Sequence, residues 1–285
     1  MAKYIKLVAV VFCLALAPIE SGAQTKPDVL ILGDSQISFG AGEVYLDFFA
    51  NIQSHCGNTV SKAQLKRLGQ RRALAVGVRS TSLHSWVARS GKAKDTICEV
   101  DKKYGVNAGV YGIGGRSDRK FIQIGKEPEF RYCRNNKSAF EGVFDESAHR
   151  PKLLILNFLG NAEKRWSESQ SAADADVRKT LEQIPNDVPC VVLTTAPVFS
   201  KATNSKRMAA QDRLAKALEK TRGRCHLVKG YTPETLAAIE GQSQFFRRNK
   251  SGKIIDPHHP SKAAIRQLIK STGPKLCTAI AAALK

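Results

Sequence analysis

Apolar residues along this chain follow two alternating rhythms. Short unbroken apolar runs occur in VLILGDS at 29–35, RALAVGV at 72–78, PKLLILNFLGN at 151–161, PCVVLTTAPVF at 189–199 and CHLVKG at 225–230. Their length and turn-type flanks are those of strands buried on both faces. Between them lie stretches of helical period. GEVYLDFFANIQSHC places Val44, Leu46, Phe48, Phe49 and Ile52 close to one helical face, and Lys62 to Arg71 reads as a surface helix. KRMAAQDRLAKALEKTRG at 206–223 is rich in helix formers and stops at Gly223, and Pro260-Ser261 opens the helix KAAIRQLIKS. Strand and helix in alternation predict an α/β fold, a parallel sheet with helices on its faces.

Two stretches break the rhythm. MAKYIKLVAVVFCLALAPIESGAQ has Lys3 and Lys6, an apolar run from Leu7 to Ala17, and the small-x-small exit Ser21-Gly22-Ala23. That is the pattern of a secretory signal peptide cut after Ala23, and the run is shorter than the roughly 20 residues of a membrane span. A periplasmic or secreted protein is therefore expected, with no membrane span after cleavage. The remaining 24–285 reads as one domain. Residues 86–150 are rich in glycine and basic residues and fall between the second and third strands, an elaboration at the rim where α/β sheets bind ligands.

Cysteine use fits export. Cys13 would leave with the leader, and Cys56, Cys98, Cys133, Cys190, Cys225 and Cys277 form an even set. In an oxidising compartment such a set predicts disulfides, one of them stapling the 86–150 elaboration, although sequence does not choose the pairing. No cofactor or metal site is expected: adjacent His258 and His259 diverge and no further ligand spacing appears. His55, His84, His149 and His226 read as structural or surface residues.

Charge narrows the partners. The chain has 45 basic against 25 acidic residues and a formal charge of +20, of which the leader removes one unit. Such an excess speaks to binding of anions rather than to fold. No nucleic-acid motif appears, and an exported protein meets glycans, lipid head groups and cell-wall material instead. Oligomeric state is not legible.

Polar residues gather at three predicted strand ends: Gly33-Asp34-Ser35, Gly160-Asn161, and the loop with Asp256 and His259 before the last helix. Loops at the carboxyl ends of parallel strands converge on one crevice. A serine there becomes a nucleophile if a histidine takes its proton and a carboxylate holds the histidine's other nitrogen. Asp256 and His259 lie three positions apart, so one loop can supply both, with His258 the alternative base. Asn161 and the Ser35 backbone N–H are candidate donors to a developing oxyanion.

These blocks resemble the SGNH (GDSL) hydrolase family, with LILGDSQ as its first block, LGN as its third and DPHHPS as its last. The resemblance implies a three-layer α/β/α sandwich of about five parallel strands. It also implies Ser35 as nucleophile, Asp256 and His259 as its partners, and Asn161 as oxyanion donor. Gln36 stands where the family often has Leu, and Ala162 where Asp is frequent. The second oxyanion donor is Ser80 in GVRSTS at 77–82 or Gly112 in NAGVYG at 107–112. Basic and aromatic residues flank the blocks. Arg79, Arg165, Trp166, Phe245, Phe246, Arg247 and Arg248 are candidates for a wall that binds a sugar or an anionic acyl group. The resulting expectation is a serine esterase or acyltransferase acting on O-acyl groups, acetyl or succinyl, of envelope polysaccharide, periplasmic glucan or peptidoglycan. A lipid esterase or lysophospholipase is the second enzyme reading. A non-catalytic basic module that binds acidic glycan on the same fold is the third.

Overall fold

The computed structural model describes residues 27–69, 73–89, 108–111, 120–122, 136–144, 150–221 and 223–285. The first half of the chain runs β1 (Val29–Gly33), a wide helical turn (Ile37–Ala41), α1 (Gly42–Ala50), α2 (Ile52–Cys56), α3 (Lys62–Arg67), β2 (Ala73–Gly77), α4 (Leu83–Val87), β3 (Ala108–Tyr111), β4 (Lys120–Ile122) and α5 (Ala139–Phe144). The second half runs β5 (Leu153–Asn157), α6 (Glu163–Glu168), α7 (Gln170–Gln183), β6 (Cys190–Leu193), α8 (Lys201–Glu219), β7 (Cys225–Val228), α9 (Pro233–Ile239), β8 (Arg247–Arg248), β9 (Ile254–Asp256) and α10 (Lys262–Ala283).

Among the described residues the main sheet has the order β4-β3-β2-β1-β5-β6-β7, and β8 pairs with β9 separately. Its five strands β2, β1, β5, β6 and β7 are parallel, as the apolar runs predict. Two strands from the 86–150 elaboration extend this sheet. There β3 lies antiparallel to β2, and β4 antiparallel to β3.

Both faces of the parallel strands are buried, and side chains alternate between two cores. Leu30, Leu32, Leu154, Leu156 and Val192 point to the side covered by α4 to α8. Val29, Ile31, Leu153, Ile155, Val191 and Leu193 point to the side covered by α1 and α10. A period of two with both faces covered reads in sequence as an unbroken apolar run. The result is the three-layer α/β/α sandwich.

Two disulfides are described. Cys56–Cys277 ties the end of α2 to α10, and Cys190–Cys225 bridges neighbouring strands β6 and β7. Cys98, Cys133, Gly112 and the leader at 1–23 lie outside the described residues. No helix among the described residues is long and apolar enough to cross a membrane.

Candidate active site

The site starts where β1 stops. After Gly33 the chain turns sharply through Asp34 and Ser35, with the Ile37 amide donating to the Asp34 carbonyl at 3.1 Å. This turn leans on the end of β2. A Cβ at Gly77 would collide with the Ser38 amide and come within 2.8 Å of the Asp34 carbonyl oxygen, so glycine is required there. The Gln36 side chain fastens the turn from the other side. It donates to the Ala196 carbonyl at 3.1 Å and the His258 carbonyl at 3.4 Å, and accepts from the Ala196 amide at 2.9 Å. Gln36 thus clamps the serine turn to the loops after β6 and β9.

The second strand-end loop arrives from β9. Ser261 caps α10 by accepting from the Ala264 amide, which fixes where the loop ends and the helix begins. Asp256 accepts from the His258 and His259 amides, both at 3.2 Å. Its two oxygens lie 3.0 Å from His259 Nδ1, and His259 Nε2 lies 2.9 Å from Ser35 Oγ. Phe39, on the turn after Ser35, stacks on the His259 ring with centroids 4.0 Å apart. Burial lowers the His259 pKa below its ordinary value. Asp256 pulls the other way without cancelling it, and His258 and Arg79 add to the lowering. Burial works against the Asp256 charge, but His259 and the two backbone N–H groups hold its carboxyl below the usual range. His259 is therefore a neutral imidazole at neutral pH, held by a carboxylate, with its second nitrogen on a hydroxyl. This arrangement can take the hydroxyl proton.

The third loop follows β5. Asn161 Nδ2 donates to the Thr81 carbonyl at 2.8 Å, which joins this loop to the one after β2. Beside Thr81, Ser80 has φ +60°, the left-handed region where glycine is favoured. The backbone here thus takes the conformation a glycine would supply, although the side chain is serine. Asp34 locks the loops to the serine turn from beneath. It accepts from the Gln36 amide at 2.9 Å and from the Leu159 and Gly160 amides. Burial pushes Asp34 up to about 6, against the pull of those N–H groups and of Arg207.

Ser35, Ser80, Asn161 and His259 line one cavity of about 380 Å³. Asp34, Gln36, Phe39, Arg79, Gly160, Arg207 and His258 complete its wall. Arg207 was not expected there. It is buried, donates to Glu163 at 3.0 Å and to the Tyr231 hydroxyl at 3.1 Å, and reaches the site from the middle of α8. Phe39 was also missed, since a lone aromatic in a turn carries no signal of its own.

The other proposed wall residues lie elsewhere. Trp166 is fully buried and donates its indole N–H to Asp176 at 2.9 Å, so it cannot face a ligand. Arg165 turns to the same Asp176, at 2.9 Å. Arg247 and Arg248 are exposed on β8 and do not line the cavity. Phe246 packs into the core. Of the proposed wall, Arg79 alone reaches the cavity. His258 lines it as well, but the ring placed against Ser35 is that of His259.

No protein-family model matches the chain, and no curated protein matches it. Among solved structures it is similar to a family two carbohydrate esterase from Clostridium thermocellum, an active-site mutant in complex with a cello-oligosaccharide. The identity is 10%, the TM-score 0.41, and the match covers 88% of this chain and 64% of that one. It is also similar to a putative platelet activating factor from Streptococcus pneumonia, at 11% identity and TM-score 0.41, over 90% of this chain and 86% of that one. A DUF4886 family protein from Bacteroides uniformis is similar at 11% identity and TM-score 0.38, over 90% and 93%. The chain thus spans less than two thirds of the carbohydrate esterase.

Proposed function

We propose that this protein is an exported serine acyl-esterase or O-acyltransferase of the SGNH type. The observation that carries the reading is the unbroken contact line Asp256–His259–Ser35, at 3.0 and 2.9 Å. Ser35 Oγ attacks the ester carbonyl while His259 Nε2 accepts the hydroxyl proton. The negative charge that develops on the carbonyl oxygen is met by Asn161 and by the Ser35 and Ser80 backbone N–H groups. Collapse of the tetrahedral species breaks the bond to the alcohol, which leaves with the proton from His259. Water or a second hydroxyl then attacks the acyl-serine by the same steps in reverse roles.

A cavity of about 380 Å³, lined chiefly by polar and charged residues with Phe39 as its one aromatic, supports short O-acyl groups on a carbohydrate rather than a long lipid chain, which needs an apolar slot. The leader pattern and the two disulfides support an oxidising compartment outside the cytoplasm. Envelope glycans are the acylated carbohydrates found there.

Labelling with a fluorophosphonate probe tests the chemistry. The wild type should label at Ser35, and Ser35→Ala and His259→Ala should not. A folded wild type that takes no label overturns the triad and leaves a basic glycan-binding module on this fold.

A further inference from the structure

We propose that Arg79 reads a negative charge on the substrate, a carboxylate held beside the ester that Ser35 attacks. This rests on the acyl-transfer reading of the Ser35 site and names the substrate class that site would select.

Arg79 is the residue before Ser80 in the loop after β2, and its side chain lines the same cavity as Ser35 and His259. Its guanidinium carbon lies 4.0 Å from the centroid of the Phe39 ring. That contact holds the group in place through its charge and leaves the N–H donors unused. The Nε hydrogen is buried and has no hydrogen-bond partner. A buried donor left without an acceptor is costly, and its persistence beside a reactive serine calls for an explanation.

The neighbouring carboxylates are already committed. Asp256 is held by His259 and two amides, Asp34 by the Gln36, Leu159 and Gly160 amides, and Glu163 by Arg207. Arg207, the other cavity arginine, has both Glu163 and Tyr231 as partners. Arg79 feels the charge of Asp256, but among the described residues it is the cavity arginine with no carboxylate hydrogen-bonded to it. A guanidinium presents a planar fork that matches a carboxylate in two parallel hydrogen bonds. In a cavity of about 380 Å³ that also holds Ser35, a carboxylate on this fork belongs to the molecule bearing the ester. Either the acyl group carries it, as in a half-ester of a dicarboxylic acid, or the acylated sugar carries it, as in a uronic acid.

Three esters separate these sources: a methyl glucoside succinylated at its primary hydroxyl, the same glucoside acetylated there, and an acetylated methyl glucuronide. The reading is the ratio of kcat/KM for each carboxylated ester over the neutral one. Wild type should prefer one carboxylated ester, and Arg79→Gln should lower that ratio about tenfold or more, with Arg79→Lys between them. A fall for the succinyl ester places the carboxylate on the acyl side, and a fall for the glucuronide places it on the sugar. Ratios that Arg79→Gln leaves unmoved for both esters overturn the proposal.

A second measurement needs no turnover. Monomethyl succinate and methyl glucuronide are titrated by NMR into Ser35→Ala and into Ser35→Ala/Arg79→Gln. One ligand should bind the first about tenfold more tightly than the second. No binding of either, or equal binding to both proteins, overturns the proposal. A protein that takes no fluorophosphonate yet binds through Arg79 sinks the acyl-transfer reading alone. A labelled protein indifferent to Arg79 sinks the charge-reading proposal alone.

Discussion

On the proposed triad, His259 sets the pH at which Ser35 reacts. Burial, His258 and Arg79 together outweigh the pull of Asp256, so the histidine loses its proton below its ordinary value of 6.5. A general base works only when neutral. On a neutral acetyl ester, kcat/KM should therefore rise with pH through a midpoint below 6.5 and level off above it. A midpoint above 6.5 in the measured profile would refute this balance of charges. Asp34 is pushed up to about 6 and titrates in the same range, so the profile should be repeated in Asp34→Asn. The rising limb stays in place there if His259 is its source. Asn161 is the other single residue with a large expected effect. Asn161→Ala should lower kcat by about 10²–10³ and change KM little, because the oxyanion forms only in the transition state. Steady-state kinetics on the same ester measure both. The residues behind these expectations were legible because each sits in a motif at a strand end. Trp166 was misplaced because nearness to a motif does not say which way a helix faces. It lies five positions beyond Asn161, on α6, and its indole turns inward.

Elements meet at one buried carboxylate. Asp176, on α7, accepts from His84 Nδ1 on α4 at 3.0 Å, and from Arg165 and Trp166 on α6, each at 2.9 Å. The loop with Ser80 precedes α4 and the loop with Asn161 precedes α6. Asp176 therefore ties the loop of Ser80 to the loop of Asn161 from outside the cavity. Asp176→Leu should destabilise the fold by about 1–3 kcal/mol, since the buried Trp166 N–H loses its acceptor. Its kcat should fall further than its KM rises. Urea unfolding and steady-state kinetics read the two effects, and a destabilised variant with unaltered kcat would reduce Asp176 to a purely structural tie. The helices involved were the hardest to see in the sequence. The inward face of α7 consists of Ala173, Asp176, Val177 and Thr180, half of it polar, so no apolar stripe marks its period. The parallel strands were plain for the opposite reason, because both of their faces are apolar. β3 and β4 are four and three residues long, too short for a pattern of their own.

At the scale of the whole molecule the two disulfides among the described residues close loops of different size around the same core. Cys56–Cys277 spans 221 positions, and Cys190–Cys225 spans 35 within that loop. A cross-link acts mainly on the unfolded chain, by removing conformations in proportion to the logarithm of the loop length. That model gives about 5 kcal/mol for the longer loop and about 4 for the shorter. All four sulfurs are buried, so replacement by alanine costs similar packing in each pair and leaves the loop term to decide. Cys56→Ala/Cys277→Ala should therefore unfold at a lower urea concentration than Cys190→Ala/Cys225→Ala, and both below wild type. The reverse order would place the main effect in the native β6–β7 pair rather than in the unfolded chain. Neither change should silence the site under conditions where the protein stays folded. Cys277 lies 15 residues along α10 from Lys262, roughly 22 Å at 1.5 Å per residue. The Ser35–His259 contact depends on the strand-end loops and on the cap at Ser261 instead. Fluorophosphonate labelling of each double variant at low temperature checks this. Labelling lost before the urea transition would mean that the bridges also hold the loops in register.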